Sequence, residues 1–308
     1  MAFFQQLRQL FTSPATLVQD LSFGLVDALN VKALLQQKQW EQFEALALTL
    51  TTDDFTRLLD GLCLTTAYSA LLASYRQSGI SELRYLVAGT HATFLAWQAR
   101  SAAYGRQLSQ QQKEGFATFL NEAYEHLNRP FVPSLLQAEA AARLVRVAMG
   151  LSEPELAQAS FASCLEAIPT HLQGHLFYFN VCTPKWFGSE DALEAYVDQA
   201  PTAELRELLQ AMYLVELYQE ISDSAAIVKQ KFRNENGRRI ARLLTLQPLP
   251  AASLYNIYLN NYLAGLHHAL GQFDQRNLFL NELGPSTTNY PWMYFGLYWP
   301  DVQKLVKK

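Results

Sequence analysis

The sequence contains little cysteine, little glycine and few charged residues. Its three cysteines, Cys63, Cys164 and Cys182, are odd in number, far apart and surrounded by apolar residues. This distribution indicates small buried side chains and argues against a disulfide framework or a zinc site, so we expect a reduced, cytoplasmic protein. Glycine contributes only 14 of the 308 residues, below the average of about 7%. Leucine, alanine and glutamine are abundant, which favours helices.

Long apolar runs and a basic excess are also missing. No stretch approaches the roughly 18 consecutive apolar residues of a transmembrane helix, so we expect no transmembrane segment. The N-terminus lacks the basic start of a secretory signal. The formal net charge of -4 argues against a general nucleic-acid binder, because phosphate neutralisation requires a basic surface. Half of the residues are hydrophobic, which is enough to build a core.

Recognisable catalytic and cofactor motifs are absent from the sequence. It has no G-x-S-x-G motif, no P-loop and no dinucleotide-binding fingerprint. His171 and His175 are four apart, but Leu172 stands where a zinc-protease motif carries glutamate, and no third ligand is evident. We therefore predict no catalytic residue, no metal and no cofactor. An enzyme with an unrecognised polar pocket in a helical groove is the alternative.

From position 30 onward, apolar residues recur at helical spacing and prolines separate the segments. Ala157, Phe161, Cys164 and Pro169 follow the small, aromatic, small, proline order of the second helix of tetratricopeptide units. The sequence thus predicts an all-α fold, a right-handed array of antiparallel helix hairpins forming a degenerate tetratricopeptide-like α-solenoid. The predicted helices span residues 30–37, 39–50, 54–62, 65–77, 81–105, 109–128, 134–150, 153–167, 170–181, 189–199, 202–222, 223–246, 252–270 and 273–283.

The sequence predicts one helical body preceded by a distinct segment. In residues 1–29, phenylalanine and leucine recur at helical spacing near the start. We expect this amphipathic segment to dock on the body, although a partner's groove or a membrane surface would also accept it. Residues 30–308 form a single helical-repeat body. Its end, residues 284–308, is rich in aromatic side chains that would cap the last repeat.

Three short elements, in this order, resemble landmarks of one bacterial family. They are Trp40-Glu-Gln-Phe-Glu-Ala-Leu46, Ala96-Trp97-Gln98-Ala99-Arg100-Ser101 and Pro184-Lys-Trp186-Phe-Gly188-Ser189. The second is close to an Ala-Trp-x-Ala-Arg-Gly element and the third to a Trp-Gly-Gly-Ser element, with serine and phenylalanine in place of one glycine each. Over about residues 30–200 the chain is similar to an uncharacterised bacterial family of tetratricopeptide-like helical-repeat proteins. The resemblance implies an all-helical, usually cytoplasmic protein and carries no activity with it.

Six residues form the predicted binding groove. Trp97 and Arg100 share one helix face because they are three apart, and Tyr104 extends that face by one turn. Tryptophan and arginine dominate the energetics of many interfaces, so this face predicts a site for a protein or peptide partner. The whole set is Trp97, Arg100, Tyr104, His175, Tyr178 and Lys185. Neither the partner's identity nor the oligomeric state follows from the sequence.

Trp186 lies in a tight loop, residues 182–190, and has two interpretations. Gly188 permits a positive φ angle, and Ser189 can cap the following helix. As a buried plug, Trp186 would seal one helix hairpin onto the next. As an exposed anchor, it would bind the partner. We expect the plug.

A local basic patch lies between residues 229 and 242. Only Glu235 opposes its six cations, which are Lys229, Lys231, Arg233, Arg238, Arg239 and Arg242. Such a patch would attract a polyanion, nucleic acid included. The alternative, which we expect, is a solvated face that pairs with acidic neighbours such as Glu204, Glu207 or Glu216.

Overall fold

The structure is a computed structural model, and it describes residues 19–100, 108–221, 224 and 226–306. The regular elements of these residues are seventeen α-helices and two short 3-10 helices, and the same ranges contain no strand. The predicted all-α class is therefore confirmed.

In chain order the helices are α1 (Leu25–Ala28), α2 (Val31–Gln36), α3 (Trp40–Leu48), α4 (Thr52–Cys63), α5 (Ser69–Ser78), α6 (Leu83–Arg100), α7 (Gln110–Leu127), α8 (Ser134–Leu151), α9 (Pro154–Ala167), α10 (Leu172–Val181), α11 (Glu190–Asp198), α12 (Ala203–Glu220), α13 (Ala226–Glu235), α14 (Gly237–Leu243), α15 (Leu254–Ala269), α16 (Phe273–Leu283) and α17 (Trp299–Val306). The 3-10 helices are Gly284–Ser286 and Trp292–Phe295.

Capping side chains set several of the helix starts. Thr51, Ser109 and Thr202 each accept a hydrogen bond from a backbone N–H in the first turn of α4, α7 and α12. Residues 223–246, predicted as one helix, instead form α13 and α14, which meet at Asn236. The short α1 and α17 are not predicted, because apolar spacing over so few turns is indistinguishable from that of a loop.

The chain divides into two compact units, residues 1–188 and 189–308. In the first unit α6 packs on α7, α8 packs on α9, and the main hydrophobic core extends from α1 to α8. Gly89 lets α6 and α7 approach closely, since a Cβ atom there would lie 2.5 Å from Leu127 Cγ. Neighbouring helices thus pack in pairs.

In the second unit, α15 packs on α12 and on α16. The aromatic C-terminal segment is anchored on α15, because the buried Trp292 donates its indole N–H to Asn261 Oδ1 at 3.1 Å. The backbone N–H of Thr288 donates to the same oxygen at 3.0 Å. The role of residues 284–308 as a repeat cap, and the single body predicted for residues 30–308, stay predictions.

The cysteines and the helix lengths also bear on the sequence predictions. Cys63, Cys164 and Cys182 are buried and free of disulfides, which confirms them as small buried side chains. Burial raises the pKa of Cys164, with a further contribution from Glu139, to about 12. No helix in the described ranges is long and apolar enough to cross a membrane. The predicted amphipathic stretch lies, up to residue 18, outside the described residues.

Candidate functional site

Three helices and one loop of the first unit bring aromatic and cationic side chains together. This group, the Trp97 cluster, consists of Trp97 and Arg100 of α6, Phe116 of α7, Arg146 of α8 and Trp186 of the loop after α10. All five residues are partly exposed. The cluster therefore lies at the surface of the unit.

Trp97 is the centre of this cluster. The rings of Trp186 and Phe116 meet it edge to face, with centroid distances of 5.8 and 5.4 Å. The guanidinium carbons of Arg146 and Arg100 lie 3.7 and 5.3 Å from the Trp97 centroid, within the range of cation–π attraction. One indole thus contacts two aromatic and two cationic groups.

Among the described residues, the Trp97 indole has no hydrogen-bond partner and Arg100 has no acidic partner. The Trp97 Nε1 atom is buried and donates no hydrogen bond there. Burial lowers the pKa of Arg100, and no carboxylate of the described chain opposes the shift. A partly buried cation without an acidic neighbour favours the approach of an anion.

Backbone hydrogen bonds fix the loop that carries Trp186. The N–H groups of Trp186 and Gly188 both donate to the Thr183 carbonyl oxygen, at 3.0 and 3.2 Å. Gly188 does not adopt a positive φ angle. Glycine is required there because a Cβ atom would lie 2.0 Å from the Cys182 carbonyl oxygen. Ser189 caps α11 through its hydroxyl oxygen, as predicted.

Of the six predicted groove residues, Trp97 and Arg100 lie in the Trp97 cluster. Lys185 is exposed in the loop, immediately before Trp186. Tyr104 lies outside the described residues. The long-range contact between α6 and this loop is the part of the site that spacing in the sequence does not indicate.

His175 and Tyr178 form a second group, on α10. They pack on the ring of Phe161 in α9, with centroid distances of 5.3 and 4.0 Å. His175 is only 2% exposed, and its Nε2 lies 2.9 Å from the Pro169 carbonyl oxygen. Burial lowers the pKa of His175. The buried His175 side chain therefore links α9 to α10.

A buried group of charged residues lies between α4, α8 and the start of α10. This Glu139 cluster consists of Glu139 and Arg143 of α8, Thr56 and Asp60 of α4, and His171. Glu139 accepts hydrogen bonds from Arg143 Nε at 2.7 Å and from Thr56 Oγ1 at 2.6 Å. His171 Nε2 lies 3.0 Å from Glu139 Oε2. Arg143 Nη1 lies 2.6 Å from Asp60 Oδ1.

The two carboxyl groups of this cluster shift in opposite directions. Burial acts to raise the pKa of Glu139, but Arg143, His171 and Thr56 outweigh it and hold the pKa at about 2. Burial raises the pKa of Asp60, and Arg143 offsets this only in part. Of the two carboxyl groups in the cluster, Glu139 is therefore the firmly ionised one.

His171 is held in one tautomer by a helix start. The Gly174 backbone N–H donates to His171 Nδ1 at 3.1 Å, so Nδ1 carries a lone pair. The ring proton then lies on Nε2 and is donated to Glu139. His171 is thus the buried N-cap of α10.

Sequence reasoning missed the Glu139 cluster. Only the four-residue spacing of Glu139 and Arg143 on one helix could have indicated it. Glu139 and His171 are both 0% exposed, so no substrate reaches them, and the arrangement can only join helices. No group of three His, Cys, Asp or Glu side chains in the described ranges could hold a metal ion.

Two pockets open on the first unit. The larger, of about 490 Å³, lies between α5, α6 and α7, and the ion pair of Arg76 and Glu122 lies at its wall. Ser69 and His91 also line it, with Ser69 Oγ 3.2 Å from His91 Nε2. The smaller, of about 200 Å³, lies beside α1, with Asp60 in its wall.

Carboxylates neutralise part of the predicted basic patch in the second unit. Arg239 forms ion pairs with Glu194 and Asp198 of α11, at 2.6 and 3.0 Å. Arg242 pairs with Glu207 of α12 at 3.0 Å. Lys231 pairs with Glu235 of α13 at 3.6 Å. The remaining cations, on α13 and α14, are Lys229, Arg233 and Arg238. These pairs weaken the positive field that a polyanion would meet.

Similarity to known proteins gives no guide to the function, so the function has to be inferred from the geometry described above. The chain matches no protein-family model, no curated protein and no solved structure.

Proposed function

We propose that this protein is a binding scaffold in which a right-handed, tetratricopeptide-like array of helix hairpins presents the Trp97 cluster to a protein or peptide partner. The observation that carries the proposal is the partly exposed Trp97 indole, with two aromatic rings and two guanidinium groups around it. The pairwise packing of neighbouring helices supports the hairpin array. A bacterial, cytoplasmic setting belongs to the same proposal.

Three properties of the Trp97 cluster favour a peptide ligand that presents a carboxylate. Tryptophan and arginine are the residues most enriched among interface hot spots. The cluster is built on three helices and a hydrogen-bonded loop, so little conformational entropy is lost on binding. Arg100 has no acidic partner in the described chain, and a carboxylate would match its planar fork of donors.

Selection from a library of random linear peptides displayed on phage tests this function. We expect the wild-type protein to enrich a common acidic motif. Arg100→Gln should weaken binding of the enriched peptide about tenfold or more, since a hydrogen bond to a charged group contributes about 1.5–3 kcal/mol.

Arg129→Gln is the matched control for that experiment. Arg129 also lies over an aromatic ring, that of Tyr85, at 4.3 Å. It is not a member of the Trp97 cluster, so its substitution should leave peptide affinity unchanged. An absence of enriched peptides, or equal losses in the two variants, would contradict the proposed function.

A further inference from the structure

The larger pocket of the first unit holds a serine and a histidine in contact. Ser69 is the first residue of α5, and His91 lies in the middle of α6. Both are partly exposed and line the pocket of about 490 Å³. We propose that Ser69 and His91 form a nucleophile–base pair that hydrolyses a carboxylic ester with an apolar acyl group.

The hydrogen bonds of His91 determine which ring nitrogen carries the proton and which one can accept the serine proton. His91 Nδ1 lies 2.9 Å from the Cys63 carbonyl oxygen. A carbonyl oxygen only accepts, so Nδ1 carries the ring proton and Nε2 carries the lone pair. The Ser69 hydroxyl therefore donates to Nε2, across 3.2 Å. This is the arrangement of a serine nucleophile and its general base, at the loose end of the range for a site without substrate.

The Cys63 carbonyl takes the position that a carboxylate has in a serine–histidine–aspartate triad. It orients the imidazole and fixes its tautomer, which are the two tasks of the third residue. It supplies no negative charge, so it stabilises an imidazolium less than aspartate does. We therefore expect slow turnover compared with that of a complete triad.

The start of α5 supplies donors for the oxyanion. The backbone N–H groups of Ala70 and Leu71 have no hydrogen-bond acceptor within the described residues. They point out of the N-terminus of a ten-residue helix, where the helix dipole favours negative charge. The N–H that follows the nucleophile is also the donor that α/β-hydrolases use.

The pocket beyond the serine fits an acyl chain. Its surface is largely apolar, and it is lined by Leu72 and Ala73 of α5 and by Ala88, Ala92 and Leu95 of α6. The charged pair of Arg76 and Glu122 is part of the same wall. An ester with a short or medium alkyl chain would bury that chain here, away from water.

The reaction balances with water as the only co-reactant. Ser69 Oγ attacks the ester carbonyl carbon while its proton passes to His91 Nε2. The C–O bond to the alcohol then breaks, and the alcohol leaves with that proton. Water attacks the acyl-serine with His91 as base, the carboxylic acid is released, and the serine proton is restored.

Hydrolysis of p-nitrophenyl butyrate by the full-length protein tests the proposal. We expect Ser69→Ala and His91→Gln each to lower kcat/KM about a hundredfold or more, because a general base contributes roughly 10²–10⁴ in rate. Ser78→Ala, at the exposed end of the same helix, should leave the rate unchanged. A fluorophosphonate probe should add its mass to the peptide that contains Ser69.

A pocket variant separates catalysis from contamination. Leu95→Trp fills the acyl pocket, so KM should rise for the butyrate ester and change little for the acetate ester. The ester pocket and the Trp97 cluster share no residue, so the two proposals fail independently. The proposed hydrolase activity is contradicted if the wild-type protein shows neither turnover nor labelling. It is also contradicted if the Ser69→Ala protein hydrolyses the ester as fast as wild type while thermal denaturation shows that it is folded.

Discussion

At the residue scale, Trp186 combines features of the two interpretations offered for it, because its ring contacts Trp97 and Phe187 yet stays partly exposed. We expect Trp186→Ala to lower the free energy of unfolding by about 1–3 kcal/mol. This is less than the roughly 3–5 kcal/mol of a fully buried aromatic residue. Chemical denaturation measures the difference.

Lys185→Ala provides the control, since this exposed side chain precedes Trp186 in the same loop. It should change the free energy of unfolding by less than about 0.5 kcal/mol. A Trp186→Ala protein as stable as the Lys185→Ala protein would rule out a packing role for the indole and leave only the anchor.

Glu139 carries the charge on which its buried cluster depends. Glu139→Gln keeps the shape but removes one of the two carboxylates that face Arg143 and the carboxylate to which His171 is hydrogen-bonded. We expect a loss of about 3–5 kcal/mol of stability, the usual cost of removing one partner of a buried ion pair. Thermal denaturation at neutral pH measures the loss. Glu166→Gln, at an exposed position of α9, is the control, and equal stability of the two variants would contradict the expectation.

The ionised Glu139 side chain also predicts that the free energy of unfolding falls at acid pH. The pKa of Glu139 is held at about 2, below its ordinary value of 4.5. Between these values the unfolded chain binds a proton that the folded chain does not, so stability falls as the pH falls. The full contribution, on the order of 3 kcal/mol, is present above pH 4.5.

Unfolding free energies measured across this pH range test the assignment. The difference between wild type and Glu139→Gln should shrink as the pH falls from 4.5 towards 2. Burial raises the pKa of Asp60, so this group acts with the opposite sign and lowers stability as the pH rises above its ordinary value of 3.8. A difference that stays constant with pH would show that Glu139 does not titrate as described.

At the element scale, the loop after α10 depends on one close backbone approach. A Cβ atom on Gly188 would meet the Cys182 carbonyl oxygen, so Gly188→Ala must displace the loop and with it Trp186. We expect a loss of about 1–3 kcal/mol, typical of overpacking. The near-ultraviolet circular dichroism of the Trp97 and Trp186 pair should also weaken.

Gly237→Ala is a matched control for this loop prediction. A Cβ atom there meets nothing within 4 Å, and the residue begins α14. Alanine is the better helix former, so this variant should be as stable as wild type or slightly more stable. A Gly188→Ala protein that behaves in the same way would show that the loop accommodates the extra carbon.

The elements could be predicted from the sequence because apolar spacing is a local property. The helices from α2 to α12 follow the predicted segments closely, whereas α1 and α17 are too short to show a period. The sites were predictable only where their residues share a helix face, as Trp97 and Arg100 do. Ser69 and His91 are 22 positions apart on different helices, and only tertiary packing brings them together.

At the scale of the whole molecule, the first unit contains its own core. The large hydrophobic cluster lies entirely between α1 and α8. We therefore expect a fragment of residues 1–188 to fold alone, with a cooperative thermal transition and a helical circular dichroism spectrum. A fragment of residues 1–151 lacks His171 and the helices that cover α8, so it should be markedly less stable. A fragment 1–188 without a cooperative transition would contradict this division of the chain.

The Glu139 cluster also constrains how this sequence can change over time. Its side chains come from α4, α8 and the start of α10, and each charge is tolerated only because the others are present. A single substitution is therefore costly, while a joint replacement by apolar residues of equal volume costs little. The positions of Asp60, Glu139, Arg143 and His171 should accordingly covary among descendants of this chain, and helices that slipped by one turn would strand a charge in the core.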